Sequence, residues 1–348
     1  MKLILDNIIF SLQRAGGISI VWKEHLKRLS ECDCTFIEYD NAEQNIFRKE
    51  LDIPASEIKL LSSSNLQIKR YLNPRIPHSD DVLFHSSYYR TLKDARNITT
   101  VHDFTYEYYV HGIKQKVHSR QKKQAVLHSD KIICVSQNTR DDLLKFYPMV
   151  NPDKIAVVYN GVDEVFCKLP MVQNIEGIPY EVGEYLLFVG DRFAPYKQFS
   201  LAVEVAKQVK KPLVIVGKPL TAIEEQMLIP LEYKVLSRIP SPVLNLLYNN
   251  AFCLLYPSLY EGFGIPVIEA QKAGCPVIAG ANSSIVEVIG KGGIAFGKLD
   301  TNSVVDAVLA LDKGDYRNEI IQYGIENAKR FSWDKTYKET MNIYKSLM

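Results

Sequence analysis

Short apolar runs recur along this chain at intervals filled by helix-length amphipathic stretches, and that alternation decides most of what it can fold into. KLIL, CTFIEY, DVLFHSS, ITTVHD, KIICVS and IAVVYN mark the first half. Runs this short and this apolar suit strands buried on both faces, and parallel strands need a helix to cross back between them. The pattern pauses over 164–183, which carries Pro and Gly without periodicity, then restarts with YLLFVGD, PLVIVG, YKVLS, AFCLLYPS and CPVIAG. One core rarely organises 348 residues, so two are expected. The expected class is α/β, with two doubly wound Rossmann-like domains facing a central cleft. The boundaries expected are 1–163, a linker at 164–183, and 184–331. SWDKTYKETMNIYKSLM at 332–348 reads as an amphipathic helix that packs back on the first domain.

Composition excludes several classes. Hydrophobic residues at 47% and charged residues at 24% match a soluble globular chain. No apolar run nears the roughly 20 residues of a membrane span, and MKLILDNIIF is broken by Asp6 and Asn7 before a signal-peptide core forms. The six cysteines, Cys32, Cys34, Cys134, Cys167, Cys253 and Cys275, form no CxxC pair. They suit a reducing cytoplasm rather than a structural zinc site. Charge is uneven: residues 1–150 hold 22 Lys+Arg against 18 Asp+Glu. Lys59, Lys69, Arg70 and Arg75 in 58–79, and Lys114, Lys116, Arg120, Lys122 and Lys123 in 108–129, form the basic excess. Solvated helix faces would explain it. So would contact with an anionic membrane surface or a phosphate-bearing acceptor.

In open parallel sheets, ligands bind beyond the carboxyl ends of the strands. The most informative such segment is YPSLYEGFGIPVIEAQKAGCPVIAG. A strand ends near Pro257, a loop holds Glu261, Gly262, Phe263 and Gly264, and Pro266 marks a helix start with Glu269 inside it. Carboxylates accept from hydroxyls, and glycine-flanked amides at a helix N-terminus donate to phosphate or sugar oxygens. Acids that merely complement a helix dipole would explain either glutamate alone, but not the whole set. In LFVGDRFAPYKQFSLAVEVAKQ, Gly190, Arg192 and Lys197 lie on a loop entering a helix. Two cations there suit a diphosphate; a loop salt bridge is the plainer reading. LQRAGGISIVWKEHLKRL puts Gly16 and Gly17 before a helix, either as a phosphate cradle or as an ordinary turn. His102 and Asp103 close ITTVHD, where the histidine could be structural or reach a ligand.

The Glu, seven residues, Glu spacing of Glu261 and Glu269 resembles the motif of glycosyltransferase family 4, enzymes of the GT-B fold, and the likeness runs over nearly the whole chain. It is weakest at 36–80 and 164–182. Asn160-Gly161-Val162-Asp163 resembles the family's turn into the interdomain segment. The resemblance implies that Glu261 contacts hydroxyls of the donor sugar and Glu269 the ribose. It implies that Arg192 and Lys197 clamp the diphosphate, with Gly190 beside them, and that Gly16 and Gly17 face the donor phosphates. His102 would lie beside the sugar.

The expected activity is therefore retaining transfer of a hexose, of mannose or glucose type, from a GDP- or UDP-linked donor. The acceptor would be a glycan or lipid-linked saccharide in bacterial cell-surface polysaccharide synthesis. Neither a metal nor any other cofactor is expected, no Asp-x-Asp sequence being present. No nucleic-acid partner is expected either. Two rivals stay open: a nucleotide-sugar 2-epimerase of the same fold, and a non-catalytic nucleotide-sugar-binding protein.

Overall fold

A computed structural model describes residues 2–29, 34–78, 81–172 and 174–348. Cys32 lies outside these residues. The chain divides into two compact units, Met1–Gly161 with Trp333–Met348, and Val162–Ser332.

Among the described residues, the first unit holds seven strands: β1 (Lys2–Asp6), β2 (Cys34–Tyr39), β3 (Ile58–Leu61), β4 (Val82–Ser86), β5 (Arg96–Val101), β6 (Lys131–Cys134) and β7 (Ile155–Val157). All pair in parallel in the order β3-β2-β1-β4-β5-β6-β7. Alternate residues of β1 serve the two faces, as the strand period of two requires. Leu3 and Leu5 pack with Trp22 and Leu26 of the Gly17–Leu26 helix. Ile4 packs on the other face with Ile37, Val82 and Phe84. Tyr344 of the Trp333–Lys345 helix is fully buried in the Leu3–Leu5 core. An aromatic side chain sealed this way contributes about 1.5–3 kcal/mol, which accounts for the chain's end returning to the first unit.

The second unit repeats the plan with β8 (Leu186–Val189), β9 (Leu213–Val216), β10 (Tyr233–Leu236), β11 (Cys253–Tyr256), β12 (Val277–Gly280) and β13 (Gly293–Phe296). Their order is β10-β9-β8-β11-β12-β13, again parallel. Leu186 and Phe188 pack against Phe199, Ala202, Val203 and Ala206 of the Phe199–Val209 helix. The stretch expected as a linker belongs to this unit. Its backbone is stitched to the Ser241–Asn250 helix: the Cys167 N–H donates to Asn245 Oδ1 at 3.1 Å, Leu169 N–H to Asn249 Oδ1 at 2.8 Å, and Gly183 N–H to the Asn250 carbonyl at 2.7 Å. Asparagine side chains thus fix a segment that has no periodicity of its own.

Candidate functional site

Strand order reverses between β8 and β11 in the second unit, so the loops after these strands flank the switch point where ligands of such sheets bind. They carry Gly190–Lys197 and Pro257–Gly264. The Leu259 N–H donates to the Tyr196 carbonyl at 2.8 Å, tying one loop to the other. Lys197 Nζ then lies 2.5 Å from Glu261 Oε1, with both side chains partly exposed at 16% and 13%. Two residues 64 positions apart thus form one charged, accessible pair.

The support around Glu261 is specific. Its N–H donates to Ser283 Oγ at 2.8 Å, and the Ser284 hydroxyl donates to the carbonyls of Glu261 and Phe263 at 2.8 and 3.1 Å. Tyr256 also hydrogen-bonds the carboxylate, and burial with that negative neighbour pushes its phenol well above the usual range. Gly264 has φ +96°, and a Cβ there would meet Ile285 Cδ1 at 2.5 Å. Only glycine makes this turn into the Ile265–Lys272 helix, near whose start Pro266 sits. Glu269, in that helix, accepts from the Tyr248 hydroxyl at 3.0 Å. Burial raises its carboxyl to about 7, against the Tyr248 hydrogen bond that lowers it.

For Arg192 the sequence left a diphosphate clamp and a loop salt bridge as the two readings, and the side chain is sealed at 0% exposure. Its Nε donates to Glu224 Oε1 at 2.9 Å, and Nη2 to the carbonyls of Lys218 and Pro219 at 2.6 and 3.0 Å. Nη1 alone is without a partner, and it too is buried. The guanidinium acts as a strut between the loops after β8 and β9. The reason is local: Thr221 and Glu224 form a capping box on the Ala222–Leu228 helix, which fixes the carboxylate where Arg192 reaches it. The Thr221-x-x-Glu224 pattern is a readable signal for such a box. Glu224, Tyr248, Ser283 and Ser284 all escaped the sequence reading, and the last three have no local pattern that announces them.

Gly16, Gly17 and His102 belong to the first unit, and the other predicted site residues to the second. Gly17 opens the Gly17–Leu26 helix with no side-chain cap, and a Cβ on it would meet nothing within 4 Å. At Gly16 a Cβ would press on Gln13 Oε1 at 2.3 Å. The loop is therefore a glycine-entered helix N-terminus with bare amides in its first turn. His102 follows β5 directly and lines a cavity of about 40 Å³ with Trp22, His25 and His85. Burial lowers it to about 4, more than Asp103 raises it, so its imidazole is neutral near pH 7. Asp103 Oδ1 accepts from the Thr105 N–H at 3.0 Å, securing the turn beyond.

The comparisons with known proteins bear on this geometry. The signature described as "Glycosyl transferases group 1" matches residues 176–327, and that of "Glycosyltransferase Family 4" matches 43–166. The O-antigen chain mannosyltransferase RfbU of Salmonella typhimurium is 30% identical over 257 residues, 70% of each chain. The chain belongs to glycosyltransferase family 4. Among solved structures, sucrose-phosphate synthase of Thermosynechococcus elongatus superposes with a TM-score of 0.77 at 16% identity, over 100% of this chain and 99% of that one. HepE of Anabaena, in complex with UDP, gives 0.72 at 14% identity, over 99% of each. The fold is thus GT-B. Among the described residues no three His, Cys, Asp or Glu side chains converge as metal ligands would, and no helix is long and apolar enough to cross a membrane.

Proposed function

We propose that this glycosyltransferase moves a hexose from a nucleotide diphosphate sugar to a hydroxyl of a glycan or lipid-linked acceptor, with retention and without a metal. One observation carries the reading: Lys197 and Glu261 meet at the switch point of the second unit, beside a glycine-entered helix N-terminus. A cation and amides suit the diphosphate, and the carboxylate suits sugar hydroxyls. The acceptor oxygen attacks the anomeric carbon on the face the phosphate leaves. The bond from that carbon to the phosphate oxygen breaks, the glycosidic bond forms, and the acceptor proton passes to the departing phosphate oxygen. Lys197 offsets the charge developing there. Glu269, inside the helix, accepts from the ribose. His102, uncharged, serves as a hydrogen-bonding partner for the sugar rather than a second cation.

Supporting a saccharide acceptor, the relative RfbU is named an O-antigen chain mannosyltransferase, and HepE was solved with UDP. The test is incubation with UDP- and GDP-linked glucose and mannose, with and without chelator. Free nucleotide and transferred sugar are read separately, and the product anomer is assigned by NMR. Sugar transfer that survives EDTA with the donor's anomeric configuration agrees with the reading. Isomerised free sugar without transfer, or activity restored only by magnesium or manganese, contradicts it.

Peripheral attachment of the first unit to anionic lipid is part of the same proposal. Ile68, Leu72, Ile113 and Val117 are exposed at 65, 57, 81 and 40% among the basic residues of 58–79 and 108–129. The Gln121 side chain donates to the Arg70 carbonyl at 2.6 Å, joining the two segments. Of the nine basic residues counted in sequence, Lys122 is removed, being fully buried against Glu107 at 2.8 Å. Arg70 lies half-buried over the Tyr88 ring. The other seven give about 1 kcal/mol each near anionic lipid before screening. Sedimentation with phosphatidylglycerol vesicles at low salt, lost at high salt, is the expected result.

A further inference from the structure

Lys122 is a buried charge that the mechanism above leaves unused. Lys114, Lys116 and Arg120 on the same Ile113–Leu127 helix are exposed, but the Lys122 side chain is at 0% exposure. An ammonium group taken out of water is costly unless its hydrogens find partners. Here Nζ donates to Glu107 Oε2 and to the Asp103 carbonyl, each at 2.8 Å, and lies 4.2 Å from the centroid of the Phe104 ring. Glu107 is held in turn. Its Oε1 accepts from the Ser119 hydroxyl at 2.7 Å and from the Tyr147 hydroxyl at 3.1 Å, so the buried carboxylate is satisfied on both oxygens.

A buried pair of this kind adds little stability over apolar side chains of similar volume. What an apolar side chain could not do is hold the Asp103 carbonyl, a backbone group 19 positions away. That carbonyl lies one peptide bond beyond His102. Because β5 ends at Val101, strand pairing no longer directs His102, and the turn that follows has to. The turn is pinned at three points: Asp103 Oδ1 accepts from the Thr105 N–H, Phe104 is fully buried and stacked on Phe146 at 5.3 Å between centroids, and Lys122 takes the carbonyl.

We infer that Lys122, paired with Glu107, is a positioning residue for His102: it fixes the Asp103 carbonyl and so the direction in which the imidazole leaves the backbone. This rests on the reading of His102 as a partner of the donor sugar. It adds to that reading a sealed charge that reaches no ligand itself.

The test compares the full-length wild type with Lys122→Met, with Lys122→Met/Glu107→Gln, with His102→Ala, and with all three changes together. Lys122→Met alone strands Glu107 and should lower the thermal midpoint or prevent folding. Adding Glu107→Gln removes the stranded charge, and the midpoint should return close to that of the wild type. The kcat of this double variant should stay depressed by up to about 10²-fold, the scale of a reacting group misplaced by 1 Å. Its donor KM and its affinity for UDP or GDP should be unchanged. The triple variant should be no slower than His102→Ala, because changes that act through one group do not add. Hydrogen exchange read by mass spectrometry should show the amides of 102–105 exchanging faster in the double variant. Wild-type turnover in the double variant, losses that add in the triple variant, or unchanged exchange at 102–105 overturns the proposal. So does a double variant that stays unfolded, since the pair would then be a brace of the fold. If the wild type transfers sugar from no donor, the glycosyl-transfer reading fails, and exchange at 102–105 decides by itself whether the pair holds the turn.

Discussion

Lys197 and Glu261 show how a site residue's value depends on what it is paired with. Each is accessible, and each is balanced by the other before any ligand arrives. Replacing Lys197 with Ala removes a charge needed when the phosphate departs, without opening a core. We expect turnover to fall by about 10²–10³-fold, or about 2.7–4 kcal/mol, with an unchanged thermal midpoint; steady-state kinetics beside calorimetric unfolding checks this. Glu269 is the complementary case. Its carboxyl titrates at about 7 because burial penalises the charge, so it is protonated below that pH and a stronger hydrogen-bond acceptor above it. Nucleotide affinity should therefore rise between pH 6 and 8. Isothermal calorimetry should find that rise absent in Glu269→Gln.

At the scale of elements, loops after neighbouring strands are fixed to one another. Arg192 joins the loop after β8 to the loop after β9, and Glu224 is anchored in turn by its capping box. Removing either partner leaves a buried charge uncompensated, which costs about 3–5 kcal/mol. Arg192→Ala and Glu224→Ala should consequently lower stability toward urea by that order. A phosphate ligand that was not also a strut would lose activity with stability unchanged.

For the whole molecule, the chain's end is fastened by a short buried relay. The Tyr344 hydroxyl lies 2.7 Å from His25 Nε2 and 2.6 Å from His85 Nδ1, and His85 Nε2 lies 2.8 Å from Thr100 Oγ1. One hydroxyl cannot donate to both rings, so one imidazole donates and the other accepts, and both are neutral. Burial holds His25 at about 4 and His85 well below its ordinary range. In the unfolded chain each binds a proton near pH 6.5. Stability is therefore fully present above that pH and falls as pH drops toward 4, by about 1.4 kcal/mol per unit for each histidine. Urea titrations at pH 7.5, 6 and 5 should show the decline. In His85→Gln its slope should fall by about 1.4 kcal/mol per pH unit, the share of one histidine.

Short continuous apolar runs with helical spacers determine two parallel sheets, because strands buried on both faces leave no polar side to expose. The sequence also placed Glu261, Gly264, Pro266 and Glu269 on one loop-to-helix turn, since glycine and proline constrain the backbone wherever they stand. It could not say that Lys197 would meet Glu261, that Lys122 would turn inward to Glu107, or that Arg192 would be sealed under Glu224. These are partnerships between residues far apart in the chain. Strand order decides which loops become neighbours, and burial then decides whether a charge meets water, a ligand or an opposite charge.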